Sequence, residues 1–155
     1  MIDDKIVLYG QSCVGKTTFA KQLIEHTYYC FDSLFKWHQI ETLGLSIEAN
    51  FKHIQETCVS EKFVVDGWHL SDKDAKYLPE NAIVYVVYAE YDQIIDQYRV
   101  EVTDHEQHRD MYEKWYGIDY QTMNVKYIKN DGNFVETSYE EFKWLTTNTN
   151  SSSFT

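Results

Sequence analysis

Eight residues near the start of the chain, Gly10-Gln11-Ser12-Cys13-Val14-Gly15-Lys16-Thr17, fit the spacing GxxxxGK[ST] in full. The residue types suit one task, holding a polyphosphate. Gly10 and Gly15 permit backbone angles that a side chain would block. The N–H groups between them can then turn inward onto phosphate oxygens, and the following helix adds partial positive charge at its N-terminus. Lys16 suits the β- and γ-phosphates, Thr17 a Mg²⁺ ion, and Thr18 the α-phosphate. The setting agrees: KIVLY at 5–9 is a short apolar run, and 16–26 carries Phe19, Leu23 and Ile24 at helical spacing. The alternative is a glycine-rich turn that binds nothing. Cys13 lies inside the loop, where a thiol is either reactive or inert.

Other residues with chemistry in them follow apolar runs. Asp32 comes after YYCF at 28–31, and Asp66 closes KFVVDG at 62–67. Each acid is either functional or the cap of a strand-end turn. Arg99 and Arg109 are the only two arginines in the chain. Phe35, Trp37 and Trp68 lie just beyond the two acids, where they either sandwich a nucleobase or cover the sheet edge. His105 and His108 sit three apart on one helix face without a third ligand, and read as a solvated surface.

The elements that must position these groups alternate. Strands are expected at 5–9, 28–31, 62–67, 82–89 and 125–129. Helices are expected at 16–26, 46–61, 91–102, 104–116 and 139–145. AIVYVVYA at 82–89 is apolar on both faces, the mark of a central parallel strand. Strand–helix alternation implies right-handed crossovers and a five-stranded parallel sheet with helices on both faces, a three-layer α/β fold. Ligands in such sheets bind beyond the carboxyl ends of the strands, which is where Gly10, Asp32, Asp66 and Ala89 fall. One domain is expected over 1–146, with a polar, low-complexity, disordered tail at 147–155.

Composition bounds the function. The chain has 155 residues, 43% apolar, 25% charged and 16% aromatic, as expected of a globular protein. A net charge of −11 argues against wrapping a long polyanion. No apolar run is long enough to span a membrane, and MIDDKIV lacks signal-peptide features. Cys13, Cys30 and Cys58 have neither CxxC spacing nor an even count, and read as reduced thiols of a cytoplasmic protein. A GTPase would need NKxD and DxxG. KND at 129–131 has the wrong order, and Asp66 is followed by GWH. A motor ATPase needs more chain.

The phosphate loop, Asp32, VVDGWHLSD at 64–72 and QYRVEVTDHEQHRDMYEKWY at 97–116 together resemble the small phosphate-loop (P-loop) kinases. These include nucleoside, nucleotide and 5′-hydroxyl polynucleotide kinases. The resemblance implies strand order 2-3-1-4-5 and a short lid around 99–110. It implies Mg²⁺ and ATP, with Lys16 and the loop residues Gly10, Gln11, Ser12, Cys13, Val14, Gly15, Thr17 and Thr18 on the nucleotide. Thr17 would hold the metal, and Asp66 would hold it directly or through water. Asp32 would be the general base, Arg99 and Arg109 the lid arginines. Asp32, Trp37, Asp66 and Trp68 would meet the acceptor. The chain departs from the family in having no arginine near the second and third strands to grip an acceptor phosphate. That favours a hydroxyl acceptor of nucleoside or nucleotide type. A kinase of DNA hydroxyls, at a 5′ end or on a modified base, and a non-catalytic nucleotide-binding regulator are the alternatives. A homodimer is compatible with the sequence, which leaves the acceptor and the choice of ATP over GTP open.

Overall fold

Strand β1 (Lys5–Tyr9) is wholly apolar after its first residue, and Ile6, Val7 and Leu8 are fully buried. Only a strand with neighbours on both sides and layers on both faces can bury such a run. In the computed structural model β1 indeed lies inside a sheet, pairing in parallel with β3 (Phe63–Asp66) and β4 (Ile83–Tyr88). The structure describes residues 2–11, 13–30, 52, 55–56, 59–66, 78–97, 101, 103–120 and 123–147. Strand β2 (Thr27–Cys30) adds to β3, and β5 (Val125–Asn130) adds to β4, both parallel.

The order of these five strands is 2-3-1-4-5, as the resemblance implies, but the sheet does not end there. A sixth strand, β6 (Phe134–Thr137), pairs antiparallel with β5, so the sheet is mixed and six-stranded rather than parallel and five-stranded. The turn before it has a physical cause. Gly132 takes φ +107°, its N–H donates to Asn130 Oδ1 at 3.1 Å, and the Asn133 N–H donates to Asp131 Oδ1 at 3.2 Å. Asn, Asp and Gly are the residues that stabilise such a reversal.

Helices cover both faces. Side chains alternate along a strand, so Tyr85 and Tyr88 point to opposite sides of β4. On the Tyr85 side lies α1 (Lys16–Gln22), whose Phe19 meets the rings of Tyr85 and Phe134 at 5.9 and 5.2 Å. On the other side lie α3 (His105–Tyr116) and α4 (Tyr139–Thr147). Trp115 of α3 packs on Tyr9 at 5.4 Å, and Phe142 of α4 packs on Tyr88 at 5.0 Å. Helix α2 (Tyr91–Asp96) ends at Asp96, short of the expected 102, with Gln97 as its C-cap. Helix α1 likewise stops before 26, because the Leu23 and His26 N–H groups turn back onto Ala20 and Leu23 carbonyls. The expected helix at 46–61 lies largely outside the described residues. No helix among the described residues is long and apolar enough to cross a membrane.

The end of the sheet opposite the phosphate loop is fastened by Asp3. Its Oδ2 accepts from the buried Tyr85 hydroxyl at 2.6 Å and pairs with Lys126 Nζ at 2.7 Å. Burial pushes the Asp3 carboxyl up, but hydrogen bonds from Lys126 and Tyr85, with the Lys126 charge, outweigh it and hold the carboxyl below its ordinary value. A depressed folded-state pKa stabilises the fold above the unfolded value and ceases to do so as pH falls through the folded one. Asp3→Asn is therefore expected to cost about 1 kcal/mol at pH 7, roughly 2–4 °C in melting temperature. The gap to wild type should shrink below about pH 4. Melting curves from pH 7 to pH 3 test this; a gap independent of pH contradicts it.

Candidate active site

The phosphate loop leaves β1 at Gly10 and enters α1 at Lys16. A Cβ on Gly10 would stand 2.4 Å from the Val87 carbonyl oxygen, so β4 approaches this backbone more closely than any side chain permits. Gly15 has φ +102°, and its Cβ would stand 2.9 Å from Asn130 Nδ2. Both glycines are thus required by the packing around the loop.

Tertiary hydrogen bonds then fix the loop. The Gln11 N–H donates to the Tyr116 hydroxyl at 3.1 Å, and that hydroxyl donates to the Val87 carbonyl at 2.9 Å. Asn130 Nδ2 donates to the Val14 carbonyl at 3.0 Å. Within the loop, the Val14 N–H reaches the Gln11 carbonyl at 3.3 Å. Gln11 and Val14 are buried, Cys13 is exposed, and Ser12 lies outside the described residues. Lys16 Nζ donates to the Gly10 carbonyl and stands 5.7 Å from the Trp115 ring centroid. Thr18 is exposed at the first turn of α1.

Thr17 connects the loop to the sheet. Its hydroxyl donates to Asp66 Oδ2 at 3.0 Å, and the Tyr28 hydroxyl donates to the same oxygen at 3.1 Å. Asp66 is only 6% exposed. Its other oxygen, Oδ1, is buried without a partner among the described residues. Burial, then the Asp66 charge and hydrogen bond, pushes the Tyr28 phenol up to about 12. A hydroxyl has one proton and two lone pairs. With the Thr17 proton committed to Asp66, its lone pairs remain for a cation. The Thr17 oxygen and the orphaned Asp66 oxygen form an all-oxygen donor set, which suits Mg²⁺.

The other expected site residues divide. Asp32, Phe35, Trp37, Trp68 and Arg99 lie outside the described residues. Arg109 sits on α3 with its guanidinium carbon 5.3 Å from the Tyr91 ring centroid. His105 stands beside the same ring, its Nδ1 3.2 Å from the Tyr91 hydroxyl. No group of three metal-ligating side chains of the His, Cys, Asp and Glu type occurs among the described residues, His105 and His108 included.

Sequence reasoning passed over Tyr28, Trp115, Tyr116 and Asn130. Tyr112 and Tyr116 stand at helical spacing, which announces a buried face but not a hydrogen bond to a distant loop. Asn130 was visible only as part of a KND that failed as a guanine-reading motif.

No protein-family model matches the chain, and no curated protein does. Solved structures do match, along nearly the whole length. A gluconokinase from Sinorhizobium meliloti 1021 is 14% identical with TM-score 0.56, covering 96% of this chain and 91% of its own. A shikimate kinase from Aquifex aeolicus is 15% identical with TM-score 0.57, covering 97% of this chain and 98% of its own. A shikimate kinase from Acinetobacter baumannii, in complex with shikimate, is 16% identical with TM-score 0.53, covering 94% of this chain and 89% of its own. The chain has the fold of the small P-loop kinases.

Cys13 takes φ +71°, a left-handed conformation that costs a non-glycine residue roughly 1–2 kcal/mol. Its side chain is exposed and forms no part of the core. Cys13→Gly removes that strain and gives back part of the gain in chain entropy. We expect a net rise in melting temperature of about 1–3 °C. Scanning calorimetry of the two proteins decides it; a lower melting temperature for the glycine variant contradicts the strain argument.

Proposed function

We propose that this chain is a kinase that moves the γ-phosphate of Mg²⁺·ATP to a hydroxyl group of a small acceptor. The observation that carries this reading is the hydrogen bond from Thr17 to the buried Asp66, beside a loop whose sequence spacing fits a phosphate loop. It joins the residue suited to Mg²⁺ with an acid at the end of the neighbouring strand. The fold supports the same reading, since the similar structures named above are kinases of small hydroxyl-bearing molecules.

Mg²⁺·ATP supplies the phosphoryl group and part of the neutralisation of its charge. The chain supplies the rest. The loop N–H groups other than those of Gln11 and Val14, which are bonded within the protein, would hold the β- and γ-phosphates together with the Lys16 ammonium, and Thr18 the α-phosphate. Thr17 and Asp66 would hold the metal, Asp66 directly or through water. Asp32 accepts the proton of the acceptor hydroxyl as it attacks. Arg99 closes over the transferring group, and Arg109, stacked on Tyr91, is the second candidate for that task. Trp37 and Trp68 flank the acceptor. The acceptor is of nucleoside or nucleotide type, with sugar acids and cyclic polyols as the classes that the fold's other kinases suggest. The kinase unit occupies 1–146, with its lid around 99–110.

ADP release from Mg²⁺·ATP, screened against nucleosides, nucleoside monophosphates, gluconate, shikimate and 5′-hydroxyl oligonucleotides, tests the reading. One class should stimulate release well above the acceptor-free rate. Bound ATP without stimulation by any class supports a nucleotide-binding regulator instead. Lys16→Ala should reduce turnover by at least about a hundredfold, because it removes a charge that acts on the transferring group. Its melting temperature should stay near wild type; retained turnover refutes the donor site. Asp32→Asn should lower kcat by about 10²–10⁴-fold with nucleotide affinity kept. An unchanged kcat removes Asp32 as the base.

A further inference from the structure

Tyr28 is the second residue of β2, opposite Val64, while Cys30 stands opposite Asp66. Paired residues in a parallel ladder face the same side, and residues two apart share that side. Tyr28 therefore shares a face with Asp66 but starts two residues further back, about 6.5 Å along the strand. Among strand-forming side chains, tyrosine is long enough to cover that distance and end in a hydrogen-bond donor. It does so, at 3.1 Å from Asp66 Oδ2. The residue is 38% exposed, so it adds little to the core. Tyr29, by contrast, packs edge-on against Phe63 and bonds to Ser60. The distinctive contact of Tyr28 is made by its hydroxyl.

Two donors on one carboxyl oxygen do more than one. A single donor holds Oδ2 only within hydrogen-bond distance, so the carboxyl group can still swing about its bond to Cβ. Thr17 reaches Oδ2 from helix α1 and Tyr28 from strand β2, so together they restrict that swing. Oδ2 is then occupied, and Oδ1 is the buried oxygen without a partner among the described residues. We infer that Tyr28 is a positioning residue for the metal: with Thr17 it holds Asp66 Oδ2, leaving Oδ1 as the acceptor for a Mg²⁺ ion or its water shell. This rests on the Mg²⁺·ATP reading above. Partners of this kind typically contribute tenfold or more to metal affinity.

The test uses the full chain with ADP as probe. The melting-temperature increase caused by ADP is measured in EDTA and across a Mg²⁺ series, for wild type and Tyr28→Phe. Tyr28→Phe should keep the increase seen in EDTA, yet require about tenfold more Mg²⁺ to reach half of the metal-dependent increment. A Mg²⁺ midpoint within twofold of wild type overturns the inference. So does loss of the EDTA increase, which would mark Tyr28 as a support of the fold or loop in general. A wild type without any Mg²⁺-dependent increment would sink the metal reading itself and this inference with it. A variant cycle guards against indirect effects. In an Asp66→Asn background, Tyr28→Phe should not move the Mg²⁺ midpoint further, and additive shifts overturn the proposal.

Discussion

The acid at the end of β3 constrains everything around it. A buried carboxyl group is costly unless hydrogen-bond donors reach it. Asp66 is 6% exposed and draws its two donors from opposite sides. Tyr28 comes from β2, and Thr17 comes from the helix that follows β1. Both can reach one oxygen only if β3 lies between β2 and β1. The order 2-3-1 at this side of the sheet is thus also the order that satisfies Asp66. Fold and candidate site share one requirement here, and a different strand order would leave a buried acid unsatisfied.

The opposite side of the loop depends on tyrosines. This chain carries 13 of them, and several are buried. A buried phenol adds apolar area but needs a partner for its hydroxyl. Tyr112 donates to the Ala89 carbonyl at 2.7 Å, Tyr116 to Val87 at 2.9 Å, and Tyr120 to Tyr116 at 3.2 Å. Tyr112 and Tyr116 thereby fasten α3 to the end of β4, and Tyr116 extends the same network to the Gln11 N–H. Burial pushes the Tyr112 and Tyr120 phenols above their ordinary range, so they remain neutral donors at physiological pH. The aromatic layer is both core and scaffold for the loop.

What could be read from the sequence follows from which signals are local. β1, β3 and β4 were legible because their apolar runs leave no other structure that buries both faces. The phosphate loop was legible because glycine spacing and a lysine have few other uses. β6 was not: FVET is four residues long, with Phe134 turned towards Phe19 and Val135 49% exposed. Its strand character comes from pairing with β5, not from its own pattern. Tyr28, Tyr116 and Asn130 were not legible as site residues for the same reason. Each acts on a partner distant in sequence, 116 residues away for Asn130 and Val14. Such contacts follow from strand order, which periodicity alone does not fix.

Electrostatics ties the proposed chemistry to this geometry. The chain carries a net charge of −11, and its candidate phosphate site includes a buried acid hydrogen-bonded to the loop's own threonine. A polyphosphate brought to that loop would meet N–H groups and Lys16, but also the field of Asp66. At such short range, like charges in a partly dehydrated site repel strongly. A divalent cation between them reverses the sign of that interaction and turns Asp66 from an obstacle into a ligand or an acceptor for bound water. On the proposed reading, the arrangement would favour the metal complex of a nucleotide over the free nucleotide. On the same reading an acidic protein could take a highly charged donor, because part of the compensating charge would arrive with the donor and be held at one place while the rest of the surface stayed negative.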